Sequence, residues 1–174
     1  MRTLDEDSLN PSAAELHIRD AAPADAPTIV DFNARLALES EGKRLDPGVL
    51  ARGVRLALAK PELCRYFIAE VGGRPIGQTM LTYEWSDWRA GVCWWIQSVY
   101  VAPEHRRQGV FRALFAHIEA LARSSPEVCG LRLYVDEHNQ RAIDTYKSMG
   151  LAPTGHFLLE LDWSGAIQKD HGSS

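Results

Sequence analysis

Apolar and polar residues alternate with two different periods along the chain, and the change of period predicts where strands give way to helices. Residues 15–21 alternate with the period of two expected of a half-buried strand. Two segments with apolar residues at helical spacing follow, and each opens with an aspartate shortly before a proline, Asp25 with Pro27 and Asp46 with Pro47. An aspartate cap and a proline in the first turn are typical of a helix N-terminus, so this region is predicted to be one strand and two helices.

Three strands are predicted in the middle of the chain. Residues 65–71 and 76–85 are rich in apolar residues and flank Gly72–Gly73, a dipeptide that favours a two-residue hairpin turn. After a second turn, residues 92–101 form a nearly continuous apolar run, which indicates a central strand. These three strands are therefore expected to form an antiparallel meander.

The last third of the chain returns to alternating helices and strands. Apolar residues trace a helical face from Val110 onward, residues 131–135 form a short apolar strand, and residues 139–149 form a helix that Gly150 ends. Residues 157–163 are predicted to be the final strand. The order β-α-α-β-β-β-α-β-α-β indicates an α/β fold with a mixed, mostly antiparallel sheet, in which the strand–helix–strand connections near the end favour a parallel pair.

Length and composition fit a single domain. A chain of 174 residues is near the usual size for one hydrophobic core, and 45% apolar with 24% charged residues is ordinary for a water-soluble protein. No repeat or long linker divides the chain. Residues 15–163 are therefore predicted to form the domain, with a polar, loosely ordered leader at 1–14 and a frayed tail at 164–174.

The same totals predict a cytoplasmic protein without a membrane span or a metal site. No apolar run approaches the roughly 18–20 residues that span a bilayer, and the acidic start lacks the chemistry of a secretory signal. The formal charge of −4 argues against a general polyanion binder. Cys64, Cys93 and Cys129 lie in apolar stretches at spacings that match no metal site, so they are expected to be buried, reduced thiols.

The stretch from Ser98 to Leu114 carries the most informative chemistry. A buried strand is predicted to end at Val101 and a helix to begin near Gly109, so unpaired backbone N–H groups and the positive end of the helix dipole meet at one point and favour phosphate. Three arginines add positive charge there, namely Arg106, Arg107 and Arg112. A solvated basic turn that only connects strand to helix explains the spacing equally well, and both interpretations stay open at this point.

The residues V-Y-V-A-P-E-H-R-R-Q-G-V-F of this loop resemble the acetyl-CoA signature of the GNAT N-acetyltransferase superfamily, Q/R-x-x-G-x-G/A. Arg106 takes the first position and Gly109 the first glycine, whereas Phe111 replaces the final glycine or alanine and Arg107 stands where many members have another glycine. A second segment that begins at Asn139, N-Q-R-A-I-D-T-Y-K-S-M-G-L, resembles the family's N-x-x-A-x-x-x-Y-x-x-x-G-F helix. In this order and spacing, the two motifs are far more specific than either alone.

The resemblance implies an enzyme that uses acetyl-CoA and a GNAT-like fold in which two central parallel strands splay apart. These strands are expected to end near Val101 and Val135, with the pantetheine arm of acetyl-CoA paired like an added strand to the backbone of the first. The residues that the resemblance implies for binding acetyl-CoA are Val99, Val101, Arg106, Arg107, Gln108, Gly109, Val110, Phe111, Arg112, Asn139, Ala142 and Tyr146.

Acetyl transfer to an amine needs a proton donor for the leaving thiolate and a route for the proton of the amine. The resemblance puts the Tyr146 hydroxyl near the thioester sulfur, and a phenol of pKa about 10 can protonate a thiolate of pKa about 8.5, so we expect Tyr146 to be the acid. A tyrosine that only packs in the core is the alternative. On the base side, we expect Gln97 to orient water or Glu84 to accept the proton.

The candidates for binding the acceptor are mostly acidic. Glu39 and Glu41 are expected in the loop between the first two helices, and Tyr83, Glu84 and Asp87 lie near the second predicted strand turn. A solvated loop charge is the alternative for each carboxylate. Their acidity favours a cationic amine.

Other functions are weighed against this one. A non-catalytic acyl-CoA-binding sensor would keep Arg106, Gly109 and Asn139 without needing Tyr146. A nucleic-acid-binding module would need a wider basic surface than one His-Arg-Arg turn. The expected partner is an amine acceptor of unknown identity, with no nucleic acid and no membrane; a homodimer is an open expectation, since dimers are common in the superfamily.

Overall fold

The computed structural model describes residues 15–163. The predicted leader at 1–14 and the predicted tail at 164–174 lie outside these residues. The strands are β1 (Leu16–Asp20), β2 (Cys64–Val71), β3 (Arg74–Ser86), β4 (Gly91–Val101) and β5 (Val128–Leu133). The helices are α1 (Ala26–Glu41), α2 (Pro47–Leu58), α3 (Val110–Ser124) and α4 (Gln140–Ser148). None of the helices in the described part of the chain is long and apolar enough to cross a membrane.

The five strands form one open sheet in the order β1-β2-β3-β4-β5. All neighbouring pairs are antiparallel except β4 and β5, which are parallel. The predicted meander and the predicted parallel pair are both confirmed. The connection from β4 to β5 runs through α3, as a parallel crossover requires.

The helix starts show which of the two predicted caps forms. The Asp46 side chain accepts a hydrogen bond from the Val49 backbone N–H at 2.8 Å, so it caps α2 as expected. Asp25 makes no such cap on α1, because its two carboxylate oxygens accept from Arg19 at 2.8 and 2.9 Å. The arginine holds the pKa of the Asp25 carboxyl below its usual value.

The predicted final strand at 157–163 does not form. In this segment the large apolar side chains are 67–92% exposed; they are Phe157, Leu158, Leu159, Leu161 and Trp163. Alternation along a chain shows only that a segment suits a strand, whereas a strand also needs a neighbouring strand to pair with. Within the described residues β5 pairs only with β4, so this segment adds nothing to the sheet.

Two layers of helices cover the sheet and define its two faces. On one face α3 contributes Leu114 and Ile118 to a core with Phe67, Leu81 and Ile96. On the other face α1 and α2 pack on β2 and β3 around a second core of buried side chains, namely Ile29, Val54, Tyr66 and Ile68. These surfaces are called below the α3 face and the α1/α2 face.

The parallel strands β4 and β5 separate part-way along their length. Their pairing ends where Ile96 lies opposite Leu133, and β4 then continues to Val101 paired only with β3. This is the predicted splay, and it leaves one edge of the upper half of β4 without a strand partner among the described residues. A bulge lies in the same stretch, because Ser98 and Val99 together face only Thr79 across the ladder.

The three cysteines are free, but they are not all buried. Cys93 is buried in β4, Cys64 is half-buried and Cys129 is exposed on β5. The expectation of burial is therefore wrong for Cys129, because β5 is an edge strand of the sheet. Its sulfur lies 3.4 Å from that of Cys93 on the neighbouring strand.

Candidate active site

The loop between β4 and α3 has the backbone geometry of an anion site. Gly109 precedes α3 with a φ of 82°, a left-handed conformation that favours glycine. No side chain of the described residues caps the helix, so the N–H groups of its first turn, Val110, Phe111 and Arg112, are left for a ligand. With the positive end of the helix dipole, this arrangement suits a phosphate group and supports the interpretation that the sequence left open.

Side chains hold this loop in place from both sides. Gln108 donates from Nε2 to the Glu104 carbonyl oxygen at 2.8 Å, and Arg106 donates from Nε to the Val101 carbonyl oxygen at 2.8 Å. Arg106 also pairs with the carboxylate of Glu39 through Nη2. Arg106 is therefore fixed by the protein before any ligand binds.

Arg107 adopts a backbone conformation that explains the family's preference for glycine at its position. Its φ of 64° lies in the left-handed region, which is unfavourable for a residue with a Cβ atom. We expect the Arg107→Gly variant to have a free energy of unfolding about 1 kcal/mol higher than that of Arg107→Ala, because both lose the charge and only glycine relieves the backbone. Urea unfolding of both variants measures the difference, and equal midpoints with equal slopes would contradict it.

The two acidic residues predicted between the helices lie elsewhere. Glu39 and Glu41 belong to the last turn of α1, not to the loop, because α1 continues to Glu41 and ends at the left-handed Gly42. Glu39 pairs with Arg106 of the loop between β4 and α3, residues 102–109, which is called below the phosphate-type loop. Glu39 also accepts a hydrogen bond from the Tyr100 hydroxyl at 3.3 Å. Glu41 pairs only with nearby Lys43 among the described residues. An acceptor role for either carboxylate stays a prediction.

The second motif lies on α4, as predicted. Asn139 precedes the helix, and its Oδ1 accepts a hydrogen bond from the Ala142 backbone N–H at 3.1 Å, so this asparagine caps α4. A role of Asn139 and Ala142 in binding acetyl-CoA stays a prediction. Asn139 has a structural role in any case, because its side-chain cap fixes where α4 begins.

Tyr146 lies against the start of α3. Its ring packs edge-on against Phe111, with 5.5 Å between the ring centroids, and Phe111 in turn packs on Phe115 at 6.3 Å. Arg112 makes a second link between the helices by donating from Nη2 to the Ser148 hydroxyl at 3.0 Å. Burial raises the pKa of the Tyr146 phenol above its usual value, so the hydroxyl keeps its proton at neutral pH. The bulky Phe111 therefore replaces the small residue of the family motif with a packing contact for the predicted acid.

The candidates on β3 and β4 fall on different faces of the sheet. Gln97 lies on the α1/α2 face and donates from Nε2 to the Thr82 hydroxyl at 2.6 Å. Tyr83 lies on the α3 face, where it packs against Trp94 at 6.0 Å. Asp87 lies in the turn after β3, where its Oδ1 accepts from the Trp88 backbone N–H. The structure therefore separates Tyr83 and Asp87 from Gln97.

Glu84 is the candidate whose two carboxylate oxygens both accept hydrogen bonds from other side chains. Its Oε1 accepts from Nη1 of Arg132 at 2.7 Å, and its Oε2 accepts from the indole N–H of Trp95. Arg132 also lies over the Trp95 ring, 5.6 Å from its centroid, and Tyr134 stacks on the same ring at 4.5 Å. Arg132 and Tyr134 were missed by sequence reasoning. The only signal was their alternation with Leu131 and Leu133, which put them on the opposite face of β5 from these leucines.

A groove of about 1120 Å³ runs along β5 and brings these elements together. Its lining includes Trp95 from β4, Arg132 from β5, Tyr134 after β5, and Ile143 and Tyr146 from α4. We call it the β5 groove. The predicted acid and the missed arginine therefore line the same groove, beside the splay of β4 and β5.

Comparison with known proteins decides the family. Residues 35–151 match the acetyltransferase (GNAT) family. The chain belongs to the GNAT acetyltransferase family. A possible acetyltransferase from Clostridium difficile 630 has the same fold, with a TM-score of 0.79 and 41% identity over 84% of this chain and 97% of that one. The recognition of the family from its two motifs is confirmed.

Two further GNAT comparisons add detail. The thialysine N-epsilon-acetyltransferase of Caenorhabditis elegans is 32% identical over 107 residues, which are 59% of this chain and 65% of that protein. The chain thus spans about two thirds of the length of that relative. A predicted acetyltransferase from Clostridium acetobutylicum, solved with acetyl-CoA, shares the fold with a TM-score of 0.68 at 21% identity, over 85% of this chain and 96% of that one.

Family membership places this GNAT protein among the acyltransferases that use acetyl-CoA. The residues present fit that ligand. The uncapped first turn of α3 and the neighbouring arginines suit its phosphates, and the unpaired edge of β4 beyond Ile96 offers backbone groups to its amide-bearing arm. In residues 15–163 no group of three or more histidine, cysteine or acidic side chains is arranged to hold a metal ion.

Proposed function

We propose that this GNAT protein is an N-acetyltransferase that moves the acetyl group of acetyl-CoA to a primary amine, of a small molecule or a protein, by direct attack on the thioester. The observation that supports this most is the position of Tyr146. Its phenol is buried against Phe111 at the start of α3 and lines the β5 groove. A proton donor therefore lies between the phosphate-type loop and an open groove large enough for an acceptor.

Acetyl-CoA supplies an activated acyl group, and the chain supplies position and protons. The first turn of α3 and the edge of β4 hold the donor so that its thioester lies in the splay. Tyr146 is protonated at neutral pH, as any phenol is whose pKa lies at or above the usual value of about 10, and it donates this proton to the departing thiolate. Among the described residues, its hydroxyl has no hydrogen-bond partner that would compete for that role.

The amine must lose a proton to react. An alkyl amine of pKa about 10 is roughly a thousandth neutral at pH 7, which costs about 4 kcal/mol. Gln97 is fixed through its amide N–H to Thr82, so its carbonyl oxygen can orient a water that takes the proton. Glu84 is the weaker choice for the base, because both of its oxygens already accept hydrogen bonds from Arg132 and Trp95.

The class of acceptor is supported by one relative. The Caenorhabditis elegans protein is by name an N-epsilon-acetyltransferase, and an ε-amino group is a primary alkyl amine. The shared family and the groove at the splay support the same chemistry here.

A direct assay tests the proposal against the sensor alternative. We expect thiol release from acetyl-CoA that depends on an added primary alkyl amine, together with acetyl-CoA binding by calorimetry. Acetylated amine identified by mass spectrometry would establish N-transfer and exclude slow hydrolysis. Acetyl-CoA binding with no release across a broad amine panel would instead support the non-catalytic acyl-CoA sensor.

A further inference from the structure

The β5 groove contains an arginine whose hydrogen-bonding capacity is largely unused. Arg132 donates from Nη1 to Glu84, and its Nε and Nη2 groups have no acceptor among the described residues. The side chain is 28% exposed and lies in the groove that Tyr146 also lines. A guanidinium with free N–H donors in a groove recognises an anionic group, most favourably a carboxylate or phosphate held by two parallel hydrogen bonds.

The surroundings of Arg132 hold it in one orientation. Glu84 accepts from Arg132 and from the Trp95 indole at the same time, and the guanidinium lies over the Trp95 ring. Tyr134 packs on that ring in turn. The ion pair with Glu84 uses only one nitrogen of Arg132. It therefore orients the guanidinium and leaves its other N–H donors available for a ligand. Preorganised donors bind an anion with less loss of side-chain freedom than a flexible lysine would.

The distance from Arg132 to the reacting centre suits a short amine. Arg132 lies opposite Trp95, one residue before the β4–β5 pairing ends. The bulge at Ser98 is three residues further along β4, which at about 3.3 Å per residue is roughly 10 Å. A primary amine that attacks in the splay can therefore reach Arg132 with a carboxylate carried six bonds away, as in lysine, since an extended chain of that length spans roughly 7.5 Å and the arginine side chain bridges the rest.

We propose that Arg132 binds a carboxylate on the acceptor, so that the acceptor is an ω-amino acid: a primary amine at one end of a short chain that bears a carboxylate at the other. This inference rests on the proposed N-acetyltransferase function. Glu84 then acts as a positioning residue that orients Arg132 rather than as the base. A polyamine would bring a second cation next to Arg132 and would bind less well.

Three probes that differ by one group test the proposal in wild-type protein. They are L-lysine, 6-aminohexanoate, which keeps the carboxylate and lacks the α-amine, and cadaverine, which is lysine without the carboxylate. We expect kcat/KM for lysine and for 6-aminohexanoate to exceed that for cadaverine about 10- to 100-fold, the range for a charge-assisted hydrogen-bonded pair.

Variants then assign the preference to the arginine. In Arg132→Gln the preference for carboxylate-bearing amines is expected to fall to about threefold or less, mainly through a higher KM for lysine, and Arg132→Lys should restore part of it. Arg123→Gln is the matched control, because Arg123 lines the same groove but pairs with Glu119 on α3. Its preference should stay at the wild-type value.

The outcomes separate this inference from the function on which it rests. If wild-type protein acetylates cadaverine as well as lysine, or if Arg132→Gln slows both substrates equally while still binding acetyl-CoA, the carboxylate site is refuted and the N-acetyltransferase stands. If no amine is acetylated while acetyl-CoA binds, the proposed function itself fails, and the acceptor site with it.

Discussion

The Tyr146→Phe variant is expected to lower kcat about 10²- to 10⁴-fold, the usual contribution of a positioned general acid. The variant keeps the ring and therefore the edge-on contact with Phe111, so only the hydroxyl group is removed. The dissociation constant for acetyl-CoA and the thermal midpoint should change little. Steady-state kinetics at saturating acetyl-CoA and amine, with calorimetry for binding, measures all three quantities.

The control and the pH profile sharpen this test. Thr145→Ala removes a hydroxyl from the adjacent position of α4, which among residues 15–163 donates only to the Arg141 carbonyl oxygen, and should leave kcat within about twofold. Because burial raises the pKa of Tyr146, its ionisation should not reduce activity until the pH exceeds the usual phenol value of about 10. Wild-type turnover in Tyr146→Phe would refute the acid assignment, and an equal loss in Thr145→Ala would point to disruption of the helix.

The Gly77→Ala variant is expected to lower the free energy of unfolding by about 1–3 kcal/mol, the usual range for overpacking. A Cβ atom at Gly77 would lie 2.9 Å from the Tyr100 carbonyl oxygen and 3.4 Å from Val110 Cγ1. The first of these neighbours is backbone, so β3 and β4 must move apart. Since Val110 begins α3, we also expect weaker acetyl-CoA binding.

Gly130→Ala provides the matched control for this prediction. Gly130 is also a strand glycine, on β5, but a Cβ atom there would meet nothing within 4 Å. Urea unfolding should therefore show a lower midpoint for Gly77→Ala and little change for Gly130→Ala. If the two variants unfold at the same concentration, close packing at Gly77 does not limit stability.

The family and the cofactor class could be predicted from the sequence because their signals are local. Gly109 and its neighbours needed only a strand end, a left-handed residue and a helix start to specify an anion site, and the structure has all three. Periodicity and capping residues such as Asp46 gave the helices and the first five strands for the same reason. The sequence also showed that Arg107 replaces the glycine that many family members have at this position. It could not show that the backbone there has a φ of 64°.

The contacts that shape the acceptor side could not be predicted, because they join residues far apart in the chain. Arg132 meets Glu84 across 48 positions, and Arg106 meets Glu39 across 67. Alternation along the predicted strand puts Tyr83 and Glu84 on opposite sides of the sheet, but the cross-strand neighbours of each depend on register, and the helices that cover each side depend on packing, neither of which the sequence shows.

The chain's sequence by itself thus determined the order of the elements as far as α4, the family and the phosphate-type loop, since each depends on residues a few positions apart. Tertiary structure alone decided that residues 157–163 lack a strand partner among the described residues, that Phe111 packs on Tyr146, and that Arg132 shares a groove with it. Strand pairing and groove lining depend on which distant segments meet. Local propensity and residue spacing do not encode these contacts between distant segments.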